Sequence, residues 1–534
     1  MKKSILKLTV GIAVFAATSA IIQAQTATPA GATSVQPAVA TTPAQTQAAA
    51  PAASTPPPPT AFDQWVKDTK NLVLPITWGA DVRLRNEYVN SALTLSDGAA
   101  RHEQDYFRFR ERIWVSVMPV TNVSVNLRLA AEQREWMKPA NAGQYFVVNK
   151  TVSHSGFEER YGILDNANLK WANIMDQPLS ITAGRQDIAL GDPDDWWLVL
   201  DGTPGDGSWT FFLDSIRTTY ELKEAKTKFD VIYLYQNAMP DEWIPTIGES
   251  GDNMLRDGTT KPYYLTEQNE QGVILYLSNK SVKDMQIDGY FIYKRDTRTH
   301  TSVLSNGDNA DIYTIGSKIT GTPADHLYYS VEGAYQFGNK QDPMVGAKYV
   351  NSTKAWRDIN AYAGKVKLSY LFKDQMQNQV SLVGEFLSGD DPNTKGRDEM
   401  FDVLWGRWPR WTELGTWDFA TETGGKYLQM NNLGRVGLNW NVTPVKGLTF
   451  NAMYNALFAP ESTPTRDITG TSAANPERFS KNGNFRGHYA QGILKYQWNK
   501  YVTTQVKGEL LWEGNYYAQR DLMAFLRTEI NLTF

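Results

Sequence analysis

Apolar and polar residues alternate with a period of two from Ile76 onward, and this pattern constrains the fold more than any other feature of the chain. Such a period indicates β-strands whose two faces meet different surroundings. In the first run the apolar face is formed by Ile76, Trp78, Ala80, Val82, Leu84 and Tyr88, and the charged face by Asp81, Arg83, Arg85 and Glu87. A single strand of this kind fits a soluble sandwich as well as a membrane barrel, so its repetition must decide between them.

The alternation returns along the whole chain. Further runs begin at Phe107, Val123, Ile216, Leu327, Val380, Val502 and Ala524. Most of them are close to the ~9–11 residues that a tilted strand needs to cross a bilayer. Segments 229–235 and 273–277 alternate poorly. Beyond the N-terminal region no stretch has the apolar length of a membrane helix, so the chain can cross a membrane only with strands.

The connections between these runs alternate between short and long. The short ones lie at 119–122, 173–178, 223–227, 279–284, 320–326, 372–378, 441–447 and 499–501. Short turns on one rim and long loops on the other are typical of outer-membrane barrels, in which the short turns are periplasmic. Counting the hairpins predicts about 18 strands, an even number that leaves both termini on the periplasmic side.

Composition agrees with a barrel that has a polar interior. The 534 residues have a low mean hydropathy of −0.43, yet 12% of them are aromatic. Outer-membrane barrels combine these properties, because half of each strand faces water and aromatic rings collect at both membrane interfaces. We therefore predict an all-β fold, a transmembrane antiparallel β-barrel with short periplasmic turns and long extracellular loops. A soluble sandwich or propeller is the alternative.

The region before the barrel is predicted to contain two parts. Residues 1–24 resemble an export signal, with Lys2, Lys3 and Lys7 before an apolar run and Ala24 as a small residue for cleavage. A membrane anchor is the alternative, but this run is shorter than the ~20 residues that usually span a bilayer. Residues 25–75 form an Ala/Thr/Pro-rich leader that cannot bury a core, with a possible short helix from Phe62 to Leu74. Residues 76–534 form the predicted barrel.

Arginine is the residue that stands out on the polar faces. If the apolar faces meet lipid, nine arginines point into the lumen: Arg83, Arg85, Arg108, Arg110, Arg112, Arg128, Arg217, Arg435 and Arg527. An arginine on the lipid face would cost ~2–4 kcal/mol near the bilayer midplane. The planar guanidinium group matches the carboxylate of an acidic sugar and stays charged at any working pH.

Two interpretations of these arginines are open. They can pair with inward carboxylates such as Asp81 and Glu87 and brace a wide wall, or they can line a path for anions. Bracing is the simpler interpretation for any single arginine. On the first three strands, however, the arginines outnumber the inward carboxylates, which predicts an electropositive patch there.

The segment from Leu179 to Gln186, which ends in Gly184-Arg185-Gln186, resembles the alginate export family of outer-membrane barrels. A second similarity is Ser388-Gly389-Asp390, followed by Phe401-Asp402. The resemblance covers roughly residues 76–534. It implies a monomeric barrel that passes anionic polysaccharide or smaller acidic sugars through an arginine-rich lumen. The terminal Phe534 resembles the C-terminal signal that the barrel assembly machinery recognises.

Only the resemblance makes Arg185 a candidate lumen residue. Arg185 shares its parity with Leu179, Ile181 and Ala183, which belong to the apolar face. An inward position requires a bulge near Gly184, or else a position at the rim of the barrel.

Other patterns point to no second site. The carboxylates of 192–195 suit calcium, but their spacing is irregular and a solvated turn is the simpler interpretation. Trp405, Trp408 and Trp411 can stack on sugars or pack within a loop. The histidines have no metal spacing, cysteine is absent, and we find no nucleophile elbow or phosphate loop.

The expected protein is thus a porin of the bacterial outer membrane, without enzymatic activity or a cofactor. Its expected partners are an anionic saccharide or another small anion, outer-membrane lipid and the barrel assembly machinery. The net charge of −4 argues against nucleic acid. A general or neutral-sugar porin and a structural or adhesive barrel are the alternatives.

Overall fold

The fold is a single antiparallel β-barrel. The structure is a computed structural model that describes residues 60–61, 63–64, 75–90, 103–138, 157–188, 190, 197–199, 212–239, 265–266, 268–299, 307–341, 356–394, 396–406, 411–415, 430–462, 479–518, 520 and 522–534. The expected signal peptide and most of the leader lie outside these residues. No helix among the described residues is long and apolar enough to cross a membrane.

Nineteen strands belong to one sheet. Their bounds are β1 Ile76–Asn90, β2 Glu103–Val120, β3 Val123–Lys138, β4 Phe157–Trp171, β5 Leu179–Gln186, β6 Leu213–Leu222, β7 Thr227–Gln236, β8 Gln268–Asn279, β9 Met285–Arg298, β10 Asn309–Ala324, β11 Leu327–Gln341, β12 Arg357–Leu371, β13 Gln379–Leu387, β14 Arg397–Asp398, β15 Leu433–Val445, β16 Leu448–Phe458, β17 Phe485–Gln497, β18 Val502–Glu513 and β19 Leu522–Thr533.

The sheet closes because β1 pairs with both β2 and β19, from Asp81 opposite Thr533 to Asn90 opposite Ala524. Every other long strand pairs with its sequence neighbours, and β13 pairs directly with β15. The two-residue β14 only adds to the edge of β12. The wall therefore has 18 long antiparallel strands, which confirms the predicted fold class.

The two ends of the barrel differ, as the connection lengths predict. At the end that we call the short-turn end, neighbouring strands are joined by tight turns such as 121–122 between β2 and β3. Asn122 adopts a φ of 67° there, a left-handed conformation that asparagine tolerates better than most residues. The opposite, long-loop end includes the connections 187–212 and 388–432.

Large apolar side chains cover the outer surface. Exposed examples are Leu84, Leu127, Ile216, Val231, Leu275, Ile315, Val331, Leu368, Leu382, Leu438, Val506 and Ile530. Exposed rings lie near both ends of the strands, with Trp171, Phe372 and Trp440 at the short-turn end and Phe458 and Trp512 at the long-loop end. An apolar band between two aromatic girdles is the surface that a barrel presents to lipid.

The interior is not uniformly polar, and this explains the two segments that alternate poorly. Ile232 and Leu234 of β7, Ile274 of β8 and Ile292 of β9 point inward and are buried. They belong to an apolar cluster inside the barrel that includes Trp197 and other residues of the long loops. Both faces of these strands are apolar, because one face meets lipid and the other meets a loop.

A short contact ties the leader to the short-turn end. Thr60 and Asp63 form a capping box, in which Asp63 N donates to Thr60 Oγ1 (3.1 Å) and Thr60 N to Asp63 Oδ2 (2.8 Å). Ala61, Asp63 and Gln64 are helical, whereas Phe62 and 65–74 lie outside the described residues. Tyr501, in the turn between β17 and β18, donates its hydroxyl to Asp63 (2.5 Å), and Lys500 forms an ion pair with it.

We predict that this contact protects the leader from protease. Replacing Asp63 with Ala should speed tryptic cleavage at Lys67 and Lys70, since the helix start loses its cap and both partners in the turn. Lys500→Ala should act in the same direction, and Lys283→Ala, which changes an exposed lysine in another turn, should not. Time courses followed by mass spectrometry measure the effect; equal rates in all variants would refute it.

The same contact predicts a pH dependence. Lys500, Tyr501 and Thr60 hold the pKa of Asp63 well below its ordinary value of 3.8. A carboxyl with a lowered pKa stabilises the docked form at pH values above its ordinary pKa and loses this effect as the pH falls through the lowered value. Leader protection should therefore persist at pH 4, measured with a protease that is active there.

Candidate functional site: the barrel interior

Nine of the ten candidate arginines lie on the inward face of their strands. Arg83, Arg85, Arg108, Arg110, Arg128, Arg435 and Arg527 are buried, and Arg112 and Arg217 are partly exposed. The same alternation that places Leu84 or Leu438 against lipid turns these residues inward. Arg185 is the exception, because the register of β5 runs through Gly184 without a shift and Arg185 keeps the parity of Ala183.

The arginines of β2, β3 and β19 converge on two glutamates. Glu87 accepts from Arg108 (3.3 Å) and from Arg527 (2.6 Å). Glu132 accepts from Arg108 (2.7 Å) and from Arg134 (3.1 Å). Buried charges need partners of this kind, since removing one partner leaves an uncompensated charge. This part of the wall is braced by a charge network.

Carboxylates from other strands complete the pairing. Arg85 pairs with Glu529, Arg128 with Asp165 (2.6 Å) and Asp187 (2.8 Å), Arg185 with Asp214 (2.9 Å), Arg217 with Asp230 (2.8 Å) and Arg435 with Glu385 (2.8 Å). The sequence count compared arginines and carboxylates on three strands only. Because the partners come from neighbouring strands and loops, the electropositive patch stays a prediction.

Asp81 differs from the buried glutamates in its surroundings. It is shared by Arg110 (3.3 Å) and Arg112 (2.7 Å). The side chain of Arg112 is 15% exposed, as is that of Arg217, whereas Arg527 is fully buried. Arg112 and Arg217 are therefore more accessible to a solute than Arg527.

Sequence reasoning missed a row of lysines on the opposite part of the wall. Lys294, Lys318, Lys340 and Lys365 are buried on the four consecutive strands β9–β12. Three of them pair with carboxylates, Lys294 with Asp296 (3.1 Å), Lys340 with Asp308 (3.3 Å) and Lys365 with Glu332 (3.7 Å). The alternation that identified the arginines also identifies these lysines when it is applied to both basic residues.

The described residues of loop 187–212 include Trp197 and Leu198, which lie inside the barrel and pack against this part of the wall. Leu198 N donates to both carboxylate oxygens of Glu332 (3.1 and 3.3 Å). The ring of Trp197 meets Tyr276 and Tyr290 edge-on, at centroid distances of 5.7 and 5.8 Å. The ammonium group of Lys318 lies 4.6 Å from the centre of the Trp197 ring. Glu332 thus holds the loop backbone while apolar contacts hold its side chains.

The described residues of loop 388–432 are held inside in the same way at two places. Gln336 bonds both the N–H (2.8 Å) and the carbonyl (2.7 Å) of Asp402. Glu509 on β18 accepts from Glu413 N (2.9 Å) and Leu414 N (3.1 Å). The guanidinium group of Arg435 lies 4.5 Å from the centre of the Trp411 ring. Inward side chains of the wall therefore bind this loop through its backbone.

The two loops meet each other inside the barrel. Trp405 N and Gly406 N both donate to Val199 O, at 3.1 and 3.0 Å. Trp405 and Trp411 are buried to 1% and 3% exposure, so packing within the loops, not stacking on sugars, is their structural role. Trp408 and the carboxylates of 192–195 lie outside the described residues, among which no group of His, Asp and Glu is arranged to hold a metal ion.

Together these features define a class of protein. A closed barrel with an apolar outer belt, a charged interior and inward-folded loops has the architecture of an outer-membrane channel. Its solved structural neighbours agree. OccAB1 of Acinetobacter baumannii matches with a TM-score of 0.50 at 9% identity, over 86% of this chain and 96% of its own. OccAB2 of the same organism matches with a TM-score of 0.50 at 10% identity, over 86% and 98%. These likenesses concern the fold.

A second comparison concerns the family. A family model described as alginate export matches residues 264–525, and it confirms the resemblance to that family. No curated protein sequence matches the chain. The barrel fold and the matched family model are those of channel and porin proteins, and the protein is located in the bacterial outer membrane. The short-turn end is therefore periplasmic and the long-loop end extracellular.

The contacts of the loops predict how to widen the channel. Replacing Glu332 or Glu509 with Ala leaves buried N–H groups without an acceptor, at about 1–3 kcal/mol for each group. Either variant should release its loop and raise single-channel conductance in planar bilayers. Asp288→Asn alters an inward carboxylate that accepts from Tyr276 and Gln286, and it should conduct like the wild type. Unchanged conductance in both Ala variants would contradict the role of the clamps.

Proposed function

We propose that this outer-membrane channel passes anionic saccharides, an acidic polysaccharide or smaller acidic sugars, along the arginines of β1–β3 and β6. The proposal rests on the family match and on the charge distribution of the interior. Among the described loop residues, Leu198 and Asp402 are held by β11 and Glu413 by β18, while Asp187 pairs with Arg128 on β3. On β1–β3 and β6, Arg112 and Arg217 each keep 15% of the side chain exposed, and the proposed path runs along them.

The observation that carries the proposal is the shared pairing at Asp81. Arg110 and Arg112 both hold this one carboxylate, and Arg112 retains exposure to the interior. An incoming carboxylate has the same shape and charge as Asp81 and can take its place on either guanidinium fork. Because the internal counterion returns when the solute leaves, binding is reversible and a chain can be passed from one arginine to the next.

One set of contacts favours the alternative of a neutral-sugar or general porin. Nearer the periplasmic end, the interior carries amides and hydroxyls that bond each other, such as Ser369 with Ser381 (2.8 Å) and Asn451 with Asn439 (2.6 Å). These groups are complementary to sugar hydroxyls without regard to charge. A monomeric assembly, inserted by the barrel assembly machinery, is part of the proposal for either substrate.

Ion selectivity tests the proposal. The wild-type channel in planar bilayers with a salt gradient should prefer anions, and Arg108, Arg110 and Arg112 changed together to Glu should reduce or reverse that preference. Cation selectivity of the wild type would reject the proposal.

An acidic oligosaccharide should block the current of the wild type more strongly than a neutral one of equal length; equal block would favour the neutral-sugar porin.

A single substitution to a neutral residue should change the anion selectivity in the opposite direction. Asp81→Asn keeps the size of the side chain and removes the internal counterion that Arg110 and Arg112 share. Anion selectivity should rise, and block by an acidic oligosaccharide should last longer, because the solute no longer competes with Asp81. Ser369→Ala, at a neutral inward position, is the control and should alter neither property. A fall in anion selectivity of Asp81→Asn would contradict the exchange mechanism.

A further inference from the structure

The wall between β4 and β5 is paired over a short length. Five residues of β4, Ala167–Trp171, pair with β5, although β4 begins at Phe157. Strand β5 has 8 residues, fewer than the ~9–11 that a tilted strand needs to cross a bilayer. Among the described residues, no strand pairs with β4 on this side above Ala167. Within the described part of the chain this leaves a gap in the ladder between β4 and β5, towards the long-loop end, and β4 above Ala167 is its open edge.

The open part of β4 is also irregular. Its pairing with β3 shifts register between Arg128 and Leu129 and again between Glu132 and Gln133. The first shift leaves Asp165 without an opposite residue, and Asp165 is buried and paired with Arg128 (2.6 Å). Bulges of this kind bend a strand and re-aim a side chain. The bulge between β3 and β4 therefore forms an ion pair beside the open edge.

Arg185 occupies the lower end of this gap. Its Nη1 donates to the carbonyl of Leu164 (2.9 Å), a residue of the open edge. Its Nε and Nη2 donate to the two carboxylate oxygens of Asp214 (2.9 and 3.2 Å) on β6. The ring of Phe212 lies 4.0 Å from the guanidinium carbon. Although its register gives it the outward parity, Arg185 is 1% exposed, because these groups enclose it.

The residues on either side of Arg185 fit the same arrangement. Gly184 has a φ of 119°, and a Cβ at this position would lie 2.4 Å from the carbonyl oxygen of Ala167. Only glycine allows this approach of β5 to β4 without a shift of the backbone. Gln186 donates its amide to the carbonyls of Thr182 (3.2 Å) and Ser215 (3.3 Å), which binds the end of β5 to β6.

We propose that Gly184-Arg185-Gln186 closes a lateral gap in the barrel wall, and that Arg185 separates the interior from the extracellular half of the bilayer at this point. A carbonyl facing lipid needs a donor from within the protein. Arg185 supplies this donor to the carbonyl of Leu164 on the open edge of β4, and Asp214 neutralises the charge of Arg185. The residue acts by positioning β4 against β6, and it is not part of the path that anions follow.

Hydrogen exchange and ion selectivity together test this assignment. In Arg185→Ala, amide exchange in residues 162–168 of detergent-purified protein should accelerate about tenfold or more, since a charge-assisted hydrogen bond to the edge is lost. Arg185→Lys should accelerate it as well, because an ammonium group lacks the fork that binds Asp214 and Leu164 at once. Both variants should keep the anion selectivity of the wild type.

Arg217→Ala is the matched control. It breaks a comparable pair with Asp230 on the neighbouring hairpin, and it should leave exchange in residues 162–168 unchanged. Heat-modifiable migration on gels verifies that each variant forms a barrel. Unchanged exchange in Arg185→Ala would overturn the proposal. A loss of anion selectivity in Arg185→Ala would also overturn it, since Arg185 would then belong to the ion path. The exchange result does not depend on which solute the channel passes.

Discussion

The need to satisfy every backbone hydrogen bond within the bilayer organises this structure. Lipid offers neither donors nor acceptors, so the sheet must close, and it does so where β1 meets β19. The C-terminal Phe534 joins this seam through its N–H, which donates to Ala80 O (2.9 Å). Between β4 and β5 the ladder stops early, and a side-chain donor, Arg185, takes over from the backbone.

Closure produces a second requirement inside the barrel. Inward arginines and lysines cannot remain buried alone, so carboxylates from neighbouring strands pair with them, and Glu87 serves both Arg108 and Arg527. Glu332 and Glu509 use the same chemistry to hold loops, because each accepts from backbone N–H groups of a segment that crosses the interior. Carboxylates inside the barrel thus have two roles: some pair with basic residues of the wall, and others hold the loops in position.

Much of this was predictable from local pattern, and the remainder depends on distant contacts. Alternation determined the strand count and the inward parity of residues such as Arg108 and Arg435. The sequence pattern identified inward carboxylates such as Glu529, but not which arginine each one pairs with, and it did not identify Asp187, which lies in a loop. The apolar–polar alternation of β7 is weak because Ile232 and Leu234 point inward. They mark where the loops pack against the wall. The role of Trp405 required knowing that two loops meet.

The central claim is that anions travel along the arginines of β1–β3 and β6. Crystals of the protein soaked in bromide test it by anomalous diffraction, since bromide reports the positions that attract anions. We expect bromide beside Arg110, Arg112 and Arg217, close to the carboxylates with which it exchanges. Bromide confined to the lysines of β9–β12, or absent from the arginines while present elsewhere in the interior, would contradict the account.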